Sequence, residues 1–532
     1  MAAPKSCQRV QGIGWHSSRR RERYPGSKGD SGLSKLVVGL DIGTSSVKAG
    51  LFNLEGQKVA IAHAHYGIYS PHPGWAEQDP AEWWEGTKKV LNEVMEGIDH
   101  ASVAGVGLSG QCPGHVLVDG SGNAIGKAII WRDRRAKEEA KWLAENVNGA
   151  QVNKWIGTSI GEDAATPPAR LLWLRDNLVT DWDITCVILQ PKDYLGLKLT
   201  GEAKTDIHSA YCLVNPDTGK YEEDYFDLLG LSTKQMPPAL SLTEPLGTVS
   251  KRAGEKTGLP VGVPVIVGTI DAWCENLAGG VTQAGGAVDV SGTSEMISMR
   301  SEVDYPGGPV FMARLGDEVR FLCGPTQAGG DTLRWLSEGF LQQNNPHRRF
   351  SQLQLLAEEV TAGSDGVIFL PYLYGERAPI WDPTARAGFL GLTGAHDLRH
   401  CVRAVYEGVG YAIRNILEIC ERINSQEADY LTICGGGSQS RFWNQIKADI
   451  IQRPVKPVEI KESACLGAAI LASVGVGKFP KLQEACSQML RFKETIEPNS
   501  KNAAVYEDAY QKYLNIYPGL RPVFSGNEVR EQ

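Results

Sequence analysis

Leu36-Val37-Val38-Gly39-Leu40-Asp41-Ile42-Gly43-Thr44-Ser45-Ser46-Val47-Lys48-Ala49-Gly50-Leu51-Phe52 is the stretch that decides how this chain is read. An apolar run with Asp41 near its end leads into Gly43-Thr44-Ser45-Ser46, after which Val47, Ala49 and Leu51 alternate with other residues. That is the pattern of a β-hairpin. Its turn offers small hydroxyl residues and backbone N–H groups to a phosphate, and Asp41 can hold Mg²⁺ directly or through water. An ordinary hairpin turn has the same composition, so one copy leaves both readings open.

A second copy stands far downstream. Gly285-Gly286-Ala287-Val288-Asp289-Val290-Ser291-Gly292-Thr293-Ser294-Glu295-Met296-Ile297 is again an apolar strand, a Gly-Thr-Ser turn and a second strand. Superposing the turns puts Gly43 on Gly292 and Asp41 on Val290, so only the first copy carries a metal-binding carboxylate at that position.

The 532 residues are too many for one core and fit two large lobes. A net charge of −8, with no basic stripe in the body of the chain, argues against a nucleic-acid partner. No apolar run approaches the length of a membrane span. Eleven cysteines are scattered singly with no C-x-x-C pair, which points to reduced thiols in a cytoplasmic enzyme. The ten histidines form no H-E-x-x-H or comparable metal cluster. Met1 to Ser34 is basic, with Arg19, Arg20, Arg21 and Arg23 close together, and lacks the apolar centre of a secretory signal. It is expected to be a disordered extension without chemistry, with a transit peptide or a mis-assigned start as the lesser alternatives, ahead of lobes over 35–283 and 284–520.

Between the hairpins, Asp79-Pro80 is expected to cap a helix on which Trp84, Val90, Leu91, Val94 and Ile98 recur at helical spacing. Gly105-Val106-Gly107-Leu108-Ser109-Gly110 matches the dinucleotide fingerprint only formally. The next residues, Gln111-Cys112-Pro113-Gly114-His115, form a loop into another strand, not a helix. A strand ending near Ser109, with Gln111 on a ligand-facing loop, is the better reading. Gly120 to Ala128 resembles a P-loop superficially, with its glycine spacing off by one and no hydroxyl at Ala128. Ala128 to Ala136 reads as a strand ending in Arg132, Asp133, Arg134 and Arg135, which suits either a polyol-binding edge or a solvated helix start. Pro191-Lys192-Asp193-Tyr194 and Thr205-Asp206 read as turn and cap positions. Val263 to Ile270 is a strand that delivers Asp271 to the start of a helix, where a carboxylate can cap the helix and accept a proton from a substrate hydroxyl. Finally, Tyr430 to Cys434 is a strand followed by Gly435-Gly436-Gly437 and a helix from near Ser440, where the backbone can approach a flat ligand closely.

These residues resemble the FGGY family of carbohydrate kinases from about residue 36 to 515. The matches are Asp41-Ile42-Gly43-Thr44-Ser45, Trp75-Ala76-Glu77-Gln78-Asp79-Pro80, Pro371-Tyr372-Leu373-Tyr374-Gly375-Glu376-Arg377 and Gly435-Gly436-Gly437. Signature regions also fall near Pro167 to Asn177 and Ala387 to Glu407, with Arg170 where lysine is usual and Cys401 where an aliphatic residue is usual. The resemblance implies an α/β chain of two actin-like (ribonuclease H-like) lobes around a nucleotide and sugar cleft. It also implies ATP-dependent phosphorylation of a sugar hydroxyl. Asp271 matches the family's catalytic base and Asp41 its metal-associated aspartate. Gly43, Thr44, Ser45, Gly292 and Thr293 match its phosphate turns, Gly436 and Gly437 its adenosine region, and Gln111 and Asp133 positions near the sugar. MgATP and a small sugar are the implied ligands; a homodimer is an open expectation.

Several of these segments are similar to the xylulokinase group, which makes D-xylulose the first substrate expectation. The departure is Gly110-Gln111-Cys112-Pro113-Gly114, where that group usually shows Gly-Gln-Met-His-Gly. Pro113 has no side-chain donor, and His115 either compensates for it or faces away. Arg132 and Arg134 stand where Asn and Gly are common, which suits either an acidic sugar or a merely solvated pair. The alternatives are a kinase of gluconate, ribulose or erythritol and, in another class, an actin-like nucleotide switch.

Overall fold

The computed structural model describes residues 35–525 apart from 148, 159, 317, 318, 343 and 344. The basic segment over 1–34 lies outside the described residues.

The first hairpin pairs β1 (Leu36–Ile42) with β2 (Ser46–Asn53), and Asp41 stands opposite Lys48. Strands β3 (Lys58–His65), β4 (Val103–Gly110), β5 (Pro245–Thr248) and β6 (Pro264–Ile270) complete a six-stranded sheet in the order β5-β6-β4-β1-β2-β3. β1, β2 and β3 run as antiparallel neighbours, while β4 lies parallel to β1 and β6 parallel to β4. The second hairpin, β7 (Gly286–Ser291) and β8 (Glu295–Arg300), starts a sheet of the same design. With β9 (Phe311–Leu315), β10 (Val319–Pro325), β11 (Tyr430–Cys434) and β12 (Val455–Pro457) its order is β9-β10-β8-β7-β11-β12. β8 and β10 follow β7 antiparallel, and β11 and β12 lie parallel. Setting β5 and β9 aside, the two sheets share one strand order and one pattern of directions. That shared order makes this an actin-like, two-lobed α/β fold.

Helix α1 (Pro80–Met95) begins where Asp79 accepts a hydrogen bond from the Ala81 N–H, and it buries Trp83, Trp84, Val90, Leu91 and Val94 on the first sheet. Residues 191–194, read from sequence as a turn, instead open α2 (Pro191–Thr200), for which Pro191 supplies a ready-made first turn. The strand expected over 128–136 is confined to Ala128–Ile129, because the charged residues after it fold back onto the lobe. Helix α3 (Asp271–Gly279) follows β6, α4 (Leu398–Asn424) packs on the second sheet, and α5 (Arg441–Ile451) follows the glycine turn, capped by Ser440.

Helix α6 (Ser463–Gly475) comes late in the chain yet packs on β1, β4 and α3. Small residues permit this. A Cβ on Gly39 would lie 1.8 Å from the Cys465 carbonyl oxygen, and one on Gly467 would lie 2.0 Å from that of Cys274. The resulting apolar cluster joins Val37 of β1, Leu277 of α3, Val288 of β7 and Leu466 of α6, so the two sheets share a core at their junction.

Candidate active site

Asp41 is buried, with its Oδ1 accepting from the Ser109 hydroxyl at 2.9 Å and its Oδ2 facing the Lys48 ammonium at 3.2 Å. Asp41 holds Lys48 well above the ordinary lysine value, against the opposing effect of burial. The turn beyond is pinned from three sides. The Tyr66 hydroxyl donates to the Gly43 carbonyl at 2.5 Å, the Gln78 amide to the Thr44 carbonyl at 2.6 Å, and the Trp131 indole to the Thr44 hydroxyl at 2.9 Å.

Asp271 sits at the first position of α3, its Oδ1 accepting from the Ala272 N–H at 2.8 Å. Burial first, and the Asp41 charge second, push its carboxyl up to about 6. Tyr66 and Cys112 also feel the Asp271 charge, which places the loop after β4 beside it. One helical turn on, Glu275 is pushed up to about 8 by burial and by Asp271, and it accepts from the Ser463 hydroxyl at 3.3 Å. Sequence reading assigned Glu275 nothing, although i,i+4 spacing on a helix was signal enough to put it on the face of Asp271.

Behind Asp271 lies an enclosed network. Lys192 at the start of α2 contacts Asp193 at 2.5 Å and Asp206 at 2.8 Å and donates to the Val267 carbonyl at 3.2 Å. Asp206 also accepts from the Thr269 hydroxyl at 2.9 Å. Asp206 does cap its own turn, through the N–H groups of His208 and Ser209, but its larger task is to anchor the end of β6.

Gln111 is buried and donates to Gln78 Oε1 at 2.7 Å, which links the loop after β4 to Thr44 through Gln78. Its own Oε1 is a buried acceptor without a hydrogen-bond partner among the described residues. Asp133 behaves differently from the expectation of a sugar-facing carboxylate. It is fully buried, and both oxygens are engaged by Arg135, with the Ala76 N–H at 2.6 Å adding a further bond to Oδ2. Arg135 in turn lies over Trp75 at 3.6 Å and Trp173 at 4.8 Å and reaches Glu77 at 2.8 Å. Asp133 is thus a brace for the loop of Trp75. Arg170 supports the same region, donating to the carbonyls of Pro113, Trp131 and Asp133, a three-way fork that a lysine ammonium would match poorly. His115 does not stand in for a side chain at Pro113. It lines a small interior cavity with Gln190, Asp193 and Ser209, and burial pushes it down to about 3.

In the second lobe the Gly292–Ser294 turn closes with the Gly292 N–H on the Ser294 carbonyl at 2.9 Å, and Thr293 accepts from the Gly329 N–H at 2.8 Å. Lys447 of α5 lies beneath it, contacting Asp289 at 2.6 Å, the Ser291 hydroxyl at 2.9 Å and Glu295 at 3.1 Å. Burial opposes the charge on Lys447, yet Asp289 and Glu295 hold it above its ordinary value, while burial raises Glu295. Gly437 presses against Ser291, where a Cβ would lie 2.0 Å from the hydroxyl, whereas a Cβ on Gly436 would meet open space. The turn that holds Thr293 and the glycine turn are therefore neighbours. Glu376 accepts from the N–H groups of Gln327 and Arg377, and Arg377 donates to the Thr326 carbonyl, so the Pro371–Arg377 loop braces the segment on which Thr293 rests.

A divalent cation with a nucleotide fits this donor set. Among the described residues no group of three His, Cys, Asp or Glu side chains is placed to hold a metal by itself. Mg²⁺, however, normally takes one or two carboxylates together with substrate phosphates, and Asp41 is such a carboxylate.

The fold and site define a carbohydrate kinase: the chain belongs to the FGGY family, whose N-terminal domain matches residues 36–278 and whose C-terminal domain matches residues 287–476. Its chemistry is ATP-dependent phosphorylation of a sugar. The chain is 30% identical over 492 residues to the xylulose kinase of Staphylococcus epidermidis, covering 91% of this chain and 97% of that one. The crystal structure of xylulose kinase from Rhodospirillum rubrum superposes with a TM-score of 0.80 at 30% identity, over 92% of this chain and 100% of that one. The gluconate kinase of Lactobacillus acidophilus superposes as well, at 0.81 and 25% identity over 92% and 99%. Backbone similarity alone therefore does not select the sugar.

Proposed function

We propose that this kinase transfers the γ-phosphoryl group of ATP to D-xylulose, giving D-xylulose 5-phosphate and ADP, with Asp271 as general base. The observation that carries the reading is the position of Asp271. Its carboxyl is raised to about 6 next to Asp41, which leaves it ionised near neutral pH and still basic enough to take a hydroxyl proton. The sugar oxygen bonds to the γ-phosphorus, the bond from phosphorus to the bridging oxygen of ADP breaks, and the hydroxyl proton passes to Asp271. Asp41 would hold the Mg²⁺, which neutralises charge on the transferring phosphoryl group. Gly43, Thr44 and Ser45 from one lobe and Gly292 and Thr293 from the other supply phosphate contacts, and Gly436 and Gly437 face the adenosine. The free acceptor on Gln111 takes a sugar hydroxyl, and Asp133 shapes that side of the pocket through Arg135.

A gluconate kinase is the second reading. Arg132 is exposed beside Trp131, which suits a sugar carboxylate. A coupled ADP-release assay with MgATP against D-xylulose, D-ribulose, L-ribulose, gluconate, glycerol and erythritol separates the two. Highest kcat/KM on D-xylulose is the expected outcome, and preference for gluconate would replace it with the second reading. ATP hydrolysis indifferent to every sugar would reject both and favour a nucleotide switch.

A further inference from the structure

We propose that a cavity on the outer, helical side of the first sheet, separate from the Asp271 region, binds a phosphorylated organic anion. The cavity of about 560 Å³ opens between α1, the turn at 119–122, Cys186, the end of α2 and the short helix Lys251–Thr257. That volume lies within the roughly 300–1,000 Å³ typical of small-molecule sites.

Three cations line it: Lys198 from α2, with Arg252 and Lys256 from the short helix. The half-buried Lys198 ammonium donates to the Gly122 carbonyl at 3.1 Å. Burial, then the charges of Arg252 and Lys256, hold it below its ordinary value, so the three groups lie close enough to repel one another. Arg252 and Lys256 are exposed, and their side chains make no hydrogen bond or ion pair among the described residues. The one carboxylate on the wall, Asp119, is committed to its own turn, accepting from the N–H groups of Ser121 and Asn123 at 2.8 and 2.9 Å. The wall is thus net positive in a chain whose net charge is −8. Below the cations the floor is apolar, built by Trp84, Val118, Val187 and Leu197. Cations at the rim and an apolar floor match a phosphoester with a carbon body, whereas a bare phosphate would leave the floor uncovered.

The site is distinct from the reaction centre. Helix α2 holds the Asp271 strand through Lys192 in its first turn, and Lys198 lies six residues further on, about 9 Å along the axis. The cavity and its cations are the same whichever sugar the enzyme phosphorylates.

Cys186 gives a local readout, being an exposed cysteine on the cavity wall while the other described cysteines are buried or partly buried. The test is the rate at which N-ethylmaleimide labels Cys186 in the full chain, followed by peptide mass spectrometry. Measurements are made with ribose 5-phosphate, with inorganic phosphate and with ribose. Ribose 5-phosphate at ten times its Kd should slow labelling about tenfold, by simple occupancy. Inorganic phosphate should protect more weakly, and ribose not at all. The double variant Arg252→Ser/Lys256→Ser, which alters only exposed side chains, should lose the protection while keeping its unliganded labelling rate and melting temperature. Absence of protection, or equal protection in the variant, overturns the site. Inorganic phosphate protecting as well as the ester overturns the assignment of a carbon-bearing ligand.

Discussion

The two glycine-threonine-serine hairpins share strand order and turn sequence but place their charges differently. In the first, Asp41 meets Lys48 across the strand pair, and the Lys48 side chain is 30% exposed. In the second, the corresponding pair is Val290 and Met296. The charges there sit one residue earlier, at Asp289, and on Glu295, where together they enclose Lys447 with no exposure at all. Because neighbouring residues on a strand point to opposite faces, that one-residue shift puts the carboxylate on the opposite face of its hairpin. The proposed Mg²⁺ role of Asp41 requires it to exchange Lys48, whose partial exposure leaves room for that. A lysine enclosed by two carboxylates cannot exchange anything cheaply, and it serves as architecture. The first lobe also has an enclosed lysine, Lys192 with Asp193 and Asp206, but it is placed behind the strand that carries Asp271.

This contrast predicts a separation of effects. Asp271→Ala should lower phosphoryl transfer by about 10²–10⁴ while leaving nucleotide binding and melting temperature nearly intact. Steady-state kinetics beside nucleotide titration measures both, and near-wild-type turnover would remove Asp271 from the chemistry.

Lys447→Met should act the other way. Leaving Asp289 unpaired in the interior costs about 3–5 kcal/mol, read as a lower urea midpoint. If stability held while only the rate fell, the second hairpin would be a chemical element like the first.

The pH dependence sharpens the same point at Asp271. Its folded value of about 6 lies above the ordinary unfolded value of about 3.9. A general base at Asp271 would work ionised, so kcat/KM should rise through pH 6 and fall about tenfold per unit below it. Stability should run opposite: the contribution of this group is fully present below about pH 3.9 and is lost as pH rises through the folded value. A rate flat from pH 5 to 7 would place another group in the role.

The smallest effect is expected of Lys48→Met. Only the lysine end of its pair with Asp41 is partly exposed, but the buried Asp41 keeps its bond from Ser109, so the loss of stability should be smaller than that of Lys447→Met. A loss as large as that of Lys447→Met would erase the distinction between the two hairpins.

Short-range patterns were legible in the chain. Both hairpins, the strand that delivers Asp271 to α3, the capped start of α1 and the glycine turn before α5 each follow from period, turn chemistry and capping within a dozen residues. Pairings between distant residues were not legible. Asp133 meets the Ala76 N–H 57 positions away, and Lys447 meets Asp289 across 158 positions. Neither partner announces itself locally, because a lysine on a helix and an aspartate on a strand look the same whether solvated or enclosed.

The sequence by itself therefore determined both hairpins, the strand that ends at Asp271 and the capped helix starts, since those depend on local backbone preferences and alternation, but it misread Pro191–Tyr194 and the length of the strand at Ala128. Only the tertiary structure decided how the charges are used. Burial and the approach of distant groups turned Asp133 into a brace, closed His115 inside the lobe, and set the helix face of Asp271 and Glu275 beside Asp41. Those outcomes rest on desolvation and Coulomb interactions, whose size is set by surroundings that assemble only when the chain folds.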